Sequence, residues 1–417
     1  CSRFGDRVAV IHSALSAGEP IDEWKRIASG KARIIVGTRS AVFAPAKNLG
    51  LIIMDEEQEQ SYKSDRSPRF HARDAAAFRC KNLGIPLLLA SATPSIETFY
   101  KAQKGKINLF EMTERFGGAK LPESVIVDMK NELLSGRTGV LSEVLAEDIQ
   151  YNLDNGQQSI LLMNRRGYNT IARCAECGTV KECPRCNIPL IYHRANGRLM
   201  CHYCGHSEPV PSRCKCGGPM KQLGIGTQKV QEELTALFPG MAVDRMDTDT
   251  VNAVNTHEKI LERFEQEHVP VLIGTQMVAK GLNLPDVTLV GVLDADQSLY
   301  IDSYRAAETT FSMLTQVAGR AGRKNKQGKV ILQTKSPDLP VIHQVMRNDY
   351  EELYFDQLAE RQLFRYPPYY RLIYVYLKHR KEDVLNQAAE TMAQHLRSGL
   401  GNRVLGPDKP PIARIQT

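Results

Sequence analysis

Eight cysteines between Cys174 and Cys216 form the pairs Cys174/Cys177, Cys183/Cys186, Cys201/Cys204 and Cys214/Cys216. A C-x-x-C turn offers two thiolates to one metal, and zinc takes four in a tetrahedron at about 2.3 Å. Eight thiolates therefore suit two zinc ions. The middle pairs, CPRC and CHYC, are separated by 14 residues, close to a zinc-ribbon spacing, and most simply share one ion. The outer pairs would then bracket it and hold the second. Sequential pairing, first with second and third with fourth, also satisfies the spacing. Cys214-Lys215-Cys216 is one residue shorter than the usual turn. With eight thiolates filling two sites, His193, His202 and His206 read as ordinary surface or turn residues. Confined to one segment of a long chain, the cysteines suit metal in a reducing compartment better than a disulfide scaffold.

The second set is acidic. In LIIMDEEQEQSYK, residues 51–63, an apolar run ends in Asp55 and Glu56. Two carboxylates at the end of a buried strand suit a metal–phosphate site, although the same pattern also opens plain helices. GTRSAVFAP (37–45) and SATPSIET (91–98) place small and hydroxyl residues at neighbouring strand ends. The third set lies far downstream, where GTQMVAKGLNLPDV (274–287) precedes QVAGRAGR (316–323). Arg320 and Arg323, three apart, would share one helical face and could neutralise charge on a γ-phosphate across a cleft.

The elements that must position these groups are two runs of alternating strands and helices. VAVIHS (8–13), ARIIVGT (32–38), LGLIIMDE (49–56) and IPLLLASAT (85–93) alternate with helical stretches, as in a parallel sheet covered on both faces. Ligands of such sheets sit beyond the carboxyl ends of the strands, where the acids and hydroxyls lie. QSILLMNRRGY (158–168), VPVLIGTQ (269–276), VTLVGVLDAD (287–296) and KVILQT (329–334) form a second set, with the cysteines inserted after its first strand. The expected organisation is α/β: a partial first lobe (1–103), a linker and lead-in helix (104–150), a second lobe (151–171 and 222–338), a cysteine-rich two-zinc module (172–221) and an incomplete α+β C-terminal domain (339–417). The last would hold a charged helix, a proline turn and an alternating strand, RLIYVYLK.

The 417 residues are 42% hydrophobic and 24% charged, an ordinary globular composition with net charge +7. Asn164 to Lys221 carries ten Lys or Arg against three Glu, with Tyr168, Tyr192 and Tyr203 interleaved. Cations with aromatics suit a nucleic-acid surface. No apolar run approaches the roughly 18 residues of a membrane span. The chain opens on Cys1 and closes on the β-prone run PPIARIQT, and is expected to be a fragment cut at both ends.

DEEQ, SATP, GTQMVAKG and QVAGRAGR, in that order, resemble the motifs of superfamily-2 helicases. With eight cysteines after NRRGY, and FRYPPYYRLIYV (364–375) near the end, the whole chain is similar to the bacterial replication-restart helicases, the primosomal protein N′ family. That resemblance implies two RecA-like parallel-sheet lobes, the first incomplete, a zinc-ribbon-like insertion in the second and a small α+β C-terminal domain. It implies a cytoplasmic, ATP-driven 3′-to-5′ DNA helicase that binds stalled forks and D-loops, with primosome and single-strand-binding proteins as partners, ATP with Mg²⁺ as cofactor, and no membrane. Asp55 would order Mg²⁺ and Glu56 would activate water. Gly281 would lie near the nucleotide, with Gln316, Arg320 and Arg323 facing the γ-phosphate. Ser91 and Thr93 would couple hydrolysis to DNA. SYKSDRSPRFHARD (61–74) matches the family's aromatic-rich loop, in which Tyr62, Arg69, Phe70 and His71 would sense single-stranded DNA. Two departures stand out: Gln58 replaces the usual histidine of DEEH, and no G-x-x-x-x-G-K-[ST] phosphate loop occurs in these residues. Without that loop the fragment is expected to hydrolyse ATP poorly. The competing reading is a non-catalytic nucleic-acid-binding zinc module on an α/β scaffold.

Overall fold

A computed structural model describes residues 3–12, 19–64, 67–113, 121–163, 170–174, 176–177, 179–184, 190–193, 197–201, 206–223, 227–246, 256–275, 284, 286–300, 303–322 and 327–408. The first lobe begins with β1 (Val8–Ile11), α1 (Glu19–Ser29) and β2 (Ile34–Gly37), the strands pairing in parallel with Val8 opposite Ile34. β3 (Ile52–Met54), α2 (Ala72–Leu83) and β4 (Leu87–Leu89) repeat the unit, with Ile52 opposite Leu87. Among the described residues no ladder joins the two pairs. Asp55 follows β3, and Ser91 and Thr93 follow β4, so all three lie beyond the carboxyl ends of parallel strands. α3 (Ile96–Gln103) starts there, capped by the Ser95 side chain.

The second lobe is a six-stranded, wholly parallel sheet. Its strands in chain order begin with β5 (Glu123–Asp128), which is followed by α4 (Met129–Leu134) and α5 (Glu143–Asp154), then β6 (Gln158–Met163). The cysteine module contributes a separate antiparallel sheet of β7 (Thr170–Cys174), β8 (Ile191–His193), β9 (Arg198–Met200), β10 (Ser207–Pro209) and β11 (Met220–Leu223), ordered β10-β9-β8-β7-β11. The lobe resumes with α6 (Thr227–Leu237), β12 (Val243–Met246), α7 (Thr256–Gln266), β13 (Val271–Gly274), β14 (Val287–Leu293), α8 (Ala306–Ala318) and β15 (Lys329–Thr334). The sheet order is β12-β13-β6-β14-β15-β5.

β6, β13 and β14 are buried along their whole length because both faces of the sheet are covered. Alternate residues point to opposite sides of a strand. Ile160, Leu162, Val290 and Val292 therefore pack with Phe311, Leu314 and Val317 of α8, while Leu161, Met163, Leu289 and Leu293 pack with Leu145, Ile149, Val230 and Leu234. Gly291 belongs to the second face, where a Cβ would come within 2.7 Å of Leu161 and 2.8 Å of Leu145, so α5 can lie this close only over glycine.

The chain ends in α9 (Pro340–Arg347), α10 (Tyr350–Leu363) and α11 (Glu382–Leu400). α10 bridges the two lobes: Leu353 enters the second-lobe core, whereas Tyr354 packs on Ile96 and Phe99 of α3. Among the described residues no helix is long and apolar enough to cross a membrane.

Two sequence expectations differ from this fold. Residues 123–128, within the stretch assigned to a linker, are an edge strand of the second-lobe sheet, paired with β15 from Glu123–Lys329 to Asp128–Thr334. The expected strand in RLIYVYLK is absent: residues 371–378 form no strand, and Ile373, Tyr374, Val375 and Tyr376 are exposed. An alternating pattern makes a strand only where a partner supplies the ladder.

Candidate nucleotide site at the seam between the lobes

α8 is apolar on the side that enters the core and polar along Thr309, Ser312 and Gln316, the 3–4 spacing of one helical face. That stripe meets the acidic motif of the first lobe. Glu56 follows β3 in a left-handed backbone conformation, φ 47°, and its amide donates to Asp55 Oδ1 at 3.0 Å. Its carboxylate Oε2 accepts two amide N–H groups, from Gln58 at 2.6 Å and from Gln316 of the other lobe at 2.8 Å. Gln58 Oε1 accepts the Ser91 hydroxyl at 2.6 Å, and Ser91 Oγ accepts the Thr93 amide at 2.9 Å. The Thr93 and Ser312 hydroxyls are 2.8 Å apart, and Gln60 donates to Thr309 at 3.0 Å. DEEQ, SATP and the helix leading into QVAGRAGR therefore form one hydrogen-bonded seam. Two neutral donors orient the Glu56 carboxylate without compensating its charge, and its Oε1 has no protein partner among the described residues.

Glu57, between these contacts, turns the other way. Buried to 2% exposure, its carboxylate accepts Arg73 at 2.5 Å, the Ser95 amide at 2.6 Å and the Thr98 hydroxyl at 3.0 Å. It ties the acidic motif to the start of α3, a structural task filled with charge-assisted bonds.

The aromatic-rich loop reaches the same motif. Tyr62 donates its hydroxyl to the Asp55 carbonyl at 2.8 Å, and burial, reinforced by the Asp55 charge, holds its pKa above the ordinary value. Phe70 meets Phe43 edge-on at 4.9 Å and lies under Arg39, which also donates to the Ser61 and Lys63 carbonyls. Arg69 is exposed and stands over the Tyr376 ring at 5.7 Å. His71 is occupied locally: its ring nitrogen accepts the Arg73 amide as the cap of α2, and burial, then Arg73, lowers its pKa.

Arg320 is half-buried, but the helix expected to present it together with Arg323 ends at Ala318, ahead of Gly319 and Gly322. Arg320 therefore lies past the end of α8, in the turn that follows it. Arg323 and Gly281 lie outside the described residues.

In the cysteine module, Cys174, Cys177, Cys214 and Cys216 converge, their sulfurs all within 4.8 Å of one another. Cys174 and Cys216 are 3.5 Å apart, Cys177 and Cys214 3.7 Å, and Cys177 and Cys216 3.3 Å. A tetrahedral zinc–thiolate site needs sulfurs about 3.8 Å apart, so the donor set fits. The short CKC turn can serve because Gly217 takes φ 92° and Gly218 passes Cys174 where a Cβ would lie 3.0 Å from its sulfur. Cys183 and Cys201 are buried together with Leu190 and Leu199, whereas Cys186 and Cys204 lie outside the described residues. His206 pairs with Glu208 at 3.3 Å.

A family model described as the PriA DNA helicase Cys-rich region matches residues 183–209, inside this module. The helicase conserved C-terminal domain matches residues 225–325. Over 99% of its length the chain is 46% identical to the replication restart protein PriA of Bacillus subtilis and 39% identical to that of Treponema pallidum. The chain belongs to the PriA family. It covers 52% and 63% of those two relatives, and so spans about half to two thirds of their length. Among solved structures, RecG bound to a three-way DNA junction matches with a TM-score of 0.46 and 15% identity, covering 86% of this chain and 36% of that one.

In this PriA-family chain Gln58 can donate to Glu56 and accept from Ser91 at once. A neutral amide keeps the charge of the seam constant where a histidine, with an unperturbed pKa of about 6.5, would titrate. Sequence reasoning missed the partners that α8 brings from the other side. Thr309 and Ser312 carried a signal, polar residues at helical spacing in an apolar run. Glu97, Arg305, Glu308 and Arg361 carried none: they meet only in the fold. Burial opposes the Glu97 carboxylate, yet Arg305 and Arg361 outweigh it and hold its pKa below the ordinary 4.5.

Proposed function

We propose that this chain is the motor and zinc module of an ATP-dependent 3′-to-5′ DNA helicase of replication restart, acting at stalled forks and D-loops in the bacterial cytoplasm. The observation that carries the reading is the 2.8 Å bond from Gln316 to Glu56, which joins an acidic strand end in one lobe to a helix of the other. A scaffold that only displayed a zinc module would need no carboxylate held between lobes by neutral amides. In this reading Asp55 holds Mg²⁺ of a bound ATP, which supplies charge neutralisation at the phosphates, and Glu56 accepts a proton from the attacking water. Gln316, Arg320 and Arg323 face the γ-phosphate, with Gly281 nearby. Ser91 and Thr93, with Tyr62, Arg69 and Phe70 of the loop, report DNA binding to the acids. Two zinc ions are assigned, one to Cys174, Cys177, Cys214 and Cys216, the other to Cys183, Cys186, Cys201 and Cys204. Primosome and single-strand-binding proteins are the proposed partners.

These residues contain no lysine phosphate loop, so the 417 residues by themselves are expected to turn over ATP weakly or not at all. The function is tested on the full-length gene product with a forked duplex. ATP-dependent displacement of the strand ahead of a motor moving 3′ to 5′ is the expected result. Tight fork binding without displacement at saturating ATP would favour the non-catalytic zinc module.

A further inference from the structure

Four charged side chains from three parts of the chain, three of them buried and Arg305 partly so, meet next to the seam. Glu97 belongs to α3, Glu308 to the first turn of α8, with Arg305 just before it, and Arg361 to α10. Arg361 is 1% exposed, the largest side chain among the described residues to be so completely covered. It donates to Glu308 at 2.7 Å and approaches Glu97 at 3.4 Å. Arg305 grips both carboxylates, Glu308 at 3.1 Å and Glu97 through a bidentate contact with 3.1 Å for its longer arm. Glu308 also accepts the Ile96 amide at 3.1 Å, across the lobes. The charges balance, two against two. The Tyr304 ring lies about 5 Å from both guanidinium carbons and stacks on Tyr366 of the C-terminal part at 4.9 Å. Arg361 further donates to the Pro367 carbonyl at 3.3 Å, and Tyr350 donates to the Pro94 carbonyl at 2.6 Å.

We infer that this cluster is a clasp through which α10 sets how the lobes close, and that Arg361 is a positioning residue for the Glu56–Gln316 pair. Glu308 and Gln316 stand on the same rigid helix, eight residues or about 12 Å apart. Fixing Glu308 to the start of α3 therefore fixes where Gln316 meets the acidic motif. Without Arg361 two buried carboxylates face one guanidinium, and the uncompensated charge draws water in and parts α8 from α3. The C-terminal segment thereby acts on the nucleotide site without touching it. Its effect on hydrolysis rests on the function proposed above, whereas the clasp itself does not.

Hydrogen exchange and ATPase assays on the full-length gene product test it. In Arg361→Met, exchange of a peptide spanning 94–100, which holds the Ile96 amide, is expected to accelerate about tenfold or more while β14 amides (287–293) stay protected. DNA-stimulated kcat should fall about tenfold, with KM for ATP changed less than about threefold. Arg361→Met/Glu308→Gln restores charge balance and keeps an acceptor for Ile96, so it should recover most of both losses. Should the single variant also expose 287–293, the balanced pair must restore that peptide as well as 94–100. Unchanged exchange at 94–100, or a balanced pair no better than the single, overturns the clasp. Faster exchange with unaltered kcat overturns the positioning role alone. If Glu56→Gln leaves ATP turnover intact, the helicase reading fails and the exchange data still decide the clasp.

Discussion

Glu56→Gln in the full-length gene product should slow DNA-stimulated ATP hydrolysis by about 10²- to 10⁴-fold, the range over which a positioned general base acts, and leave fork binding within about twofold. The substitution preserves size and shape, so it removes basicity and charge with little change in packing. It also changes the partner of Gln58 and Gln316. Their amide groups now donate to a neutral amide oxygen, a weaker acceptor than a carboxylate, so some loosening of the seam accompanies the loss of the base. Fork binding should be spared because the cations and aromatics suited to DNA belong to the cysteine module and the 61–74 loop, whose Tyr62 bonds the Asp55 backbone carbonyl rather than the Glu56 carboxylate. Loss of fork binding with hydrolysis retained would reverse the assigned role of the acidic motif.

The second large effect concerns metal. Metal analysis should return two zinc ions per chain, and Cys174→Ser or Cys214→Ser should reduce this to one. Structural zinc in small modules contributes about 10–16 kcal/mol of apparent binding free energy, which is folding free energy for the segment that holds it. Among the described residues the module offers little else to fold around. Their buried cluster is Ala172, Leu190 and Leu199 with Cys183 and Cys201, flanked by Tyr192, Val210 and Met220, against the much larger clusters of the second lobe. Chelation should therefore release 170–223 to proteolysis while the six-stranded sheet survives. A single zinc per wild-type chain would contradict two four-thiolate sites.

The parts of this fold legible in the sequence were those fixed by local chemistry. Continuous apolar runs at 158–163 and 287–293 could only be strands covered on both faces, and they are. The shorter apolar runs 51–54 and 87–90 likewise put Asp55, Ser91 and Thr93 at strand ends, where they follow β3 and β4. Local patterns misled where a distant partner decides the outcome. ESVIVD becomes an edge strand because β15, two hundred residues on, offers it a ladder; RLIYVYLK alternates just as well and finds none among the described residues. The GRAGR helix stops short because its glycines do not hold helix against the turn that follows. The Glu97–Arg361 contact joins residues 264 apart in sequence and has no local signature at all.

The central claim is that Glu56 and Gln316 act as one unit across the seam. A double-mutant cycle on single-turnover ATP hydrolysis tests it directly, with Glu56→Asp, which withdraws the carboxylate by one methylene and keeps a measurable rate, and Gln316→Ala. Contacting residues that serve one step give non-additive losses, whereas independent ones multiply. The expected result is a double variant no more than about threefold slower than the slower single. A double variant whose loss equals the product of the two single losses would show that the groups work independently, and would contradict the account.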